Sequence, residues 1–101
     1  MRMLVFFDLP TESLENKRDY TRFRKYLVKS GFMMLQESVY CKLALNQSVV
    51  ESIAEGVRRN KPSHGLVQLL VVTEKQYSRM EFIVGEHNGD IITSDERFVE
   101  L

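Results

Sequence analysis

Asp8 ends a short apolar run, Met3-Leu4-Val5-Phe6-Phe7, and immediately precedes Leu9-Pro10, so its carboxylate sits where the chain must change direction. A lone aspartate ahead of a helix is ordinarily a turn or cap residue, because its oxygens accept from nearby backbone N–H groups. The other chemistry open to it is magnesium binding. Mg²⁺ takes one or two carboxylates and completes its octahedron with water and phosphate oxygens. One aspartate per chain makes a thin site, but a two-fold axis near the end of the run would bring Asp8 from two copies together.

The second candidate group is cationic. Arg18, Arg22, Lys25 and Lys29 follow one another at steps of four, three and four, which puts them on one face of a helix. Such a stripe can neutralise phosphates along a duplex backbone, and a solvated helix face accounts for it equally well. Arg58, Arg59 and Lys61 close a second helical stretch, where complementing the helix dipole is sufficient reason for them. Arg2, Arg24 and Lys42 stand apart.

Other chemistries are poorly served. His64 and His87 lie in turn segments without a Cys or His partner at metal spacing, which argues against zinc. Tyr20, Tyr26 and Tyr40 could stack on bases, but packing is the more economical role. Cys41 is the only cysteine, which excludes an internal disulfide framework and suits a reducing compartment; between Tyr40 and Lys42 it reads as a small packing residue. No glycine-rich phosphate loop, Ser-His-Asp order or Cys-x-x-Cys motif is present.

The elements that must position these residues follow from periodicity. Met3 to Phe7 is a continuous apolar run, the pattern of a strand buried on both faces. Leu14, Tyr20, Phe23 and Leu27 predict a helix from about residue 13 to Ser30, with Gly31 as its left-handed cap. Phe32 to Leu35 and Ser38 to Leu43 predict a hairpin turning at Gln36-Glu37. Ser48-Val49-Val50-Glu51 has the capping-box pattern, and Val50, Ile53 and Val57 line a second helix ending near Asn60. Leu66 to Val72 is another nearly all-apolar strand, and Thr73 to Gln76 suits a single capped helical turn. Phe82-Ile83-Val84 and Phe98-Val99 read as further extended pieces.

A length of 101 residues with 44% hydrophobic content fits one domain over residues 1–101, with a C-terminal extension from about residue 80. Formal net charge is zero, yet residues 1–79 carry 13 Lys and Arg against 8 Asp and Glu, while the remainder carries only Arg97 against six acids. A basic body with an acidic tail can still present a basic face. The apolar N-terminal run is too short for a signal peptide or a membrane span, and the expectation is a cytoplasmic protein.

The order strand, helix, strand, strand, helix, strand is the split βαβ, ferredoxin-like α+β arrangement, whose helices cover one face of the sheet. Two strands apolar on both faces need a second cover. The economical cover is another copy, giving a symmetric homodimer packed sheet on sheet; the alternative is that the C-terminal pieces fold back over that face.

Val5-Phe6-Phe7-Asp8-Leu9-Pro10, the basic helix containing Tyr20-Thr21-Arg22-Phe23-Arg24-Lys25-Tyr26-Leu27, and Gly31 to Leu43 together resemble the CRISPR-associated protein 2 family. Leu69 to Met80 is similar to the variant found in type II systems. The resemblance implies a ferredoxin-like homodimer with Asp8 as catalytic residue and Mg²⁺ ligand at the subunit interface, acting as an endonuclease on RNA or double-stranded DNA. It also implies a part in spacer acquisition for antiviral defence. There the dimer bridges the integrase subunit, CRISPR-associated protein 1, while Arg18, Arg22, Lys25 and Lys29 touch the duplex. Two functions compete within it: a DNA-binding adaptor for which Asp8 chemistry is dispensable, and a nuclease in which paired Asp8 residues hold the ion that activates water. The sparse acid–base inventory around Asp8 favours the adaptor. A toxin-like ribonuclease of the virulence-associated protein D type is the alternative.

Overall fold

The computed structural model of the chain describes residues 1–85. Its elements in chain order are β1 (Arg2–Asp8), α1 (Leu14–Lys29), β2 (Met33–Gln36), β3 (Val39–Leu43), α2 (Gln47–Arg59), β4 (Leu66–Val72) and α3 (Glu74–Ser78). The four strands form one antiparallel sheet in the order β2-β3-β1-β4. β3 therefore lies between β1 and β2, as the split βαβ arrangement requires.

Strand alternation divides β1 into two faces. Met3, Val5 and Phe7 point into the core with Phe23 and Leu27 of α1, Val50, Ala54 and Val57 of α2, and Phe32, Tyr40 and Ala44. The Phe7 ring organises that layer, stacking on Tyr40 at 5.6 Å and meeting Phe23 and Tyr20 edge-on at 5.5 and 5.9 Å. The expected stripe is buried at Phe23 and Leu27 and half-buried at Tyr20, whereas Leu14, the first residue of α1, is exposed.

Local signals fix the ends of the helices. Ser13 caps α1 by accepting from the Asn16 backbone N–H at 3.0 Å. The helix closes on Gly31, at φ 97°, with Phe32 N–H reaching the Leu27 carbonyl and Gly31 N–H the Val28 carbonyl. That pair of bonds satisfies carbonyls the helix leaves orphaned and needs a left-handed residue, which glycine supplies without strain. α2 corrects one expectation. Its cap is Asn46, whose Oδ1 accepts from Val49 N–H at 2.9 Å, so the helix starts at Gln47 and Ser48 lies inside it. Glu51 consequently faces Gln47 one turn back and accepts from its side chain at 3.2 Å. Thr73 and Gln76 do form a capping box, at the start of α3.

On the other sheet face stand Arg2, Leu4, Phe6 and Asp8 of β1, with Cys41 and Leu70 both in register with Leu4. α3 covers part of that face: Tyr77 lies against Arg2 and Cys41, and Leu4 and Cys41 are each only 6% exposed. The cover stops short of β4, where Leu66 and Leu70 remain about half exposed. Phe82-Ile83-Val84, expected as an extended piece, is not a strand of the described sheet and is exposed. Phe98-Val99 and His87 lie outside the described residues. No helix among the described residues is long and apolar enough to cross a membrane.

Candidate functional site

Asp8 is the last residue of β1, and alternation from the core residues Met3, Val5 and Phe7 turns it to the sheet face away from α1 and α2. It is exposed and stands in register with Leu66 at the start of β4. Its carboxylate makes no ion pair with a described residue. Nor do the described residues contain a group of three or more His, Cys, Asp or Glu able to hold a metal. One chain thus presents one unpaired, accessible carboxylate, which suits one ligand of a water-rich Mg²⁺ site completed by a second carboxylate or by phosphate.

The loop entering β4 fixes the backbone at Asp8. Gly65 adopts φ 96°, and a β-carbon there would lie 2.9 Å from the Asp8 carbonyl oxygen and 2.7 Å from Leu9 Cδ2. Only a residue without a side chain permits this approach. Just before it, Ser63 Oγ donates to Asp19 of α1 at 3.0 Å and lies 3.1 Å from His64 Nδ1. Asp19 in turn pairs with Arg22. These bonds tie the loop to α1 and are not legible in the sequence, because Asp19 and Ser63 are 44 positions apart.

The four stripe residues Arg18, Arg22, Lys25 and Lys29 are all exposed on α1. Lys17, Arg18, Thr21, Arg22 and Lys25 border an open hollow of about 470 Å³. Arg22 shares its charge with Asp19, whereas Arg18, Lys25 and Lys29 have no ion-pair partner among the described residues. Those three are the stripe cations left free for a polyanion. Arg58 pairs with Glu55 one turn earlier on α2, in keeping with a surface role.

Arg2, isolated in the sequence, is engaged. Its Nε and Nη2 donate to both carboxylate oxygens of Glu74 at 3.0 and 2.8 Å, and its guanidinium carbon lies 4.3 Å from the centre of the Tyr77 ring. The hydrogen bond to Glu74 raises the Arg2 pKa, and the same bond lowers that of Glu74. Burial pushes the Tyr77 phenol up, with the Cys41 thiol adding to the shift. Cys41 Sγ is 3.9 Å from Tyr77 Oη, so the cysteine packs beneath α3. Arg2 is therefore a clamp for α3.

The comparisons with known proteins agree with this architecture. The family model described as CRISPR associated protein Cas2 matches residues 1–80. A CRISPR-associated endoribonuclease Cas2 from Treponema denticola is 54% identical over the full length of both chains. One from Streptococcus mutans serotype c is 45% identical, covering 100% of this chain and 93% of its own. The crystal structure of Streptococcus pyogenes Cas2 at pH 6.5 superposes with a TM-score of 0.62 at 17% identity, covering 84% of this chain and all of the other. At that identity the likeness speaks for the ferredoxin-like fold, while the sequence matches assign the lineage. The chain belongs to the CRISPR associated protein Cas2 family.

Proposed function

We propose that the protein is a cytoplasmic, homodimeric adaptor of spacer acquisition that bridges integrase subunits and holds duplex DNA by its backbone. An Mg²⁺-dependent endonuclease activity at paired Asp8 residues is secondary to that role. The observation that carries this reading is the composition of the sheet face opposite α1 and α2. It has half-exposed Leu66 and Leu70 on β4, a partial cover by α3, and the exposed Asp8 at one end. A second copy covering that apolar surface about a two-fold axis near Asp8 would bring two carboxylates together.

In such a pair the two Asp8 carboxylates are the residues of this chain that would hold the ion. Bound there, Mg²⁺ would supply the Lewis acidity for phosphodiester hydrolysis. Among the described residues, no titratable side chain is hydrogen-bonded to or ion-paired with the Asp8 carboxylate. His64 is turned to Ser63, and Asp19 to Ser63 and Arg22. That poverty of acid–base groups favours the adaptor over the dedicated nuclease, although the relatives carry the name endoribonuclease. Arg18, Lys25 and Lys29 supply phosphate contacts that read no base, as a spacer of arbitrary sequence demands.

The test is co-purification of the protein with its neighbouring integrase subunit, CRISPR-associated protein 1, followed by mass measurement of the complex and binding of a labelled duplex. The reading requires a two-fold small subunit within a larger assembly that binds DNA more tightly than either part. A monomer that ignores the integrase would contradict it.

A further inference from the structure

Between α1 and the β2–β3 hairpin lies a second hollow of about 460 Å³, lined by Tyr20, Arg24, Met34, Glu37 and Tyr40. Tyr20 and Arg24 are one helical turn apart on α1, Met34 and Tyr40 are cross-strand partners, and Glu37 is in the turn between β2 and β3. Tyr40 forms one wall although it is only 1% exposed, and its hydroxyl has no hydrogen-bond partner among the described residues. A buried phenol is normally satisfied, so an orphan beside a hollow marks a place where a ligand or its water belongs. Phe7 packs against both tyrosine rings, at 5.9 Å from Tyr20 and 5.6 Å from Tyr40, and so holds them in place before anything binds. Arg24 and Glu37 are exposed, and neither forms an ion pair with a described residue.

A site offering an aromatic face, a free cation, a free carboxylate and an unused hydroxyl asks for a ligand that is flat, anionic at one end and a hydrogen-bond donor at the other. We propose that this hollow binds a single nucleotide of an unpaired nucleic-acid strand, its phosphate on Arg24, its base against Tyr20 and Met34, its donor edge on Glu37, and a water that it carries in on the buried Tyr40 hydroxyl. Aromatic side chains accept any base face. The carboxylate adds preference, since it accepts from N–H groups alone: guanine offers two adjacent donors, N1–H and the exocyclic amine, while uracil offers one between two repelling carbonyls. The order of affinity is therefore guanine above cytosine and adenine, with uracil last. The site is separate from the α1 stripe, and the inference rests on the reading of the protein as a nucleic-acid binder by adding a subsite for single-stranded ends.

The experiment is titration of the isotopically labelled full chain with guanosine, cytidine and uridine monophosphates, followed by NMR, with inorganic phosphate as control. Saturable shifts should centre on Tyr20, Arg24, Met34, Glu37 and Tyr40, with guanosine monophosphate tightest. Loss of one charge-assisted bond costs about tenfold or more in affinity, so Arg24→Ala should weaken every nucleotide alike. Glu37→Gln should erase the ranking and retain phosphate-dependent binding. Tyr40→Phe keeps the ring in the core; it should weaken nucleotide binding without lowering Tm. The proposal is overturned by shifts that inorganic phosphate reproduces, by a ranking that survives Glu37→Gln, or by no saturable response at the hollow. Shifts there produced by the integrase subunit and by no nucleotide would also overturn it. Duplex binding by the same proteins in complex with the integrase subunit separates the two readings: a silent hollow with intact duplex binding refutes the subsite alone, and an occupied hollow in a protein whose complex binds no duplex refutes the adaptor alone.

Discussion

Arg2 and Glu74, 72 positions apart, meet in a two-pronged ion pair that fastens α3 to the sheet face opposite the other helices. Glu74 is exposed and its pKa is lowered by the Arg2 hydrogen bond. A carboxylate with a lowered folded pKa adds stability above its unfolded value, near 4.3, and that contribution disappears as pH falls through the lower folded value. Glu74→Gln should therefore remove a contribution of below about 1 kcal/mol at neutral pH, because solvent screens the pair. The same contribution should already be absent from the unsubstituted protein in strong acid. Hydrogen exchange across α3 in both proteins at neutral and acid pH reads this, and equal protection at neutral pH would show that Tyr77 packing alone holds the helix.

Gly65 gives a sharper stability test. Gly65→Ala must place a β-carbon 2.9 Å from the Asp8 carbonyl in a backbone region that L-residues avoid. The expected cost is about 1–3 kcal/mol, with chemical-shift changes at Asp8 and Leu9 beside it. A Tm unchanged by the substitution would mean that the β1 end is less tightly fixed than its geometry states.

The dimer prediction rests on β4. Leu70 is 49% exposed in the single chain, so Leu70→Asp should fold normally. Burying a leucine contributes about 1.5–3 kcal/mol, and the substitution removes two leucines per dimer, which should shift the variant to a monomer at micromolar concentration. Light scattering showing a dimer in both proteins would move the interface elsewhere.

For the basic stripe, Arg18→Glu with Lys25→Glu should weaken duplex binding by the integrase complex irrespective of sequence. Removing one phosphate-neutralising cation should flatten the salt dependence by a slope of about 0.9. Arg22→Glu alone should do less, because Asp19 already shares its charge. Unchanged slopes would return the stripe to an ordinary solvated helix face.

The features legible in the sequence are those carried by local pattern. The β1 and β4 runs, the Gly31 cap and the Thr73 turn are all written in neighbouring residues, because strand continuity, a positive φ and a capping hydroxyl are short-range requirements. The start of α2 departs from the capping-box expectation because Ser48 and Asn46 both satisfy the cap chemistry, and only the position of the first turn decides between them. The site divides in the same way. Asp8 is visible as the end of an apolar strand, whereas the Arg2 clamp, the Asp19–Ser63–His64 chain and the orphaned Tyr40 hydroxyl are products of tertiary register. No local periodicity encodes them.

Whether this protein serves assembly before chemistry is decided at Asp8. Asp8→Asn keeps the shape of the side chain and removes its charge, so a paired site would lose two negative charges per dimer and with them its hold on Mg²⁺. The measurement is integration of a labelled duplex by the complex reconstituted with the integrase subunit, beside a nuclease assay of the small subunit alone. The variant should dimerise, assemble and support integration at nearly the unsubstituted rate, while Mg²⁺-dependent cleavage disappears. Integration abolished in a complex that still assembles would refute the adaptor and make Asp8 chemistry the function of the protein.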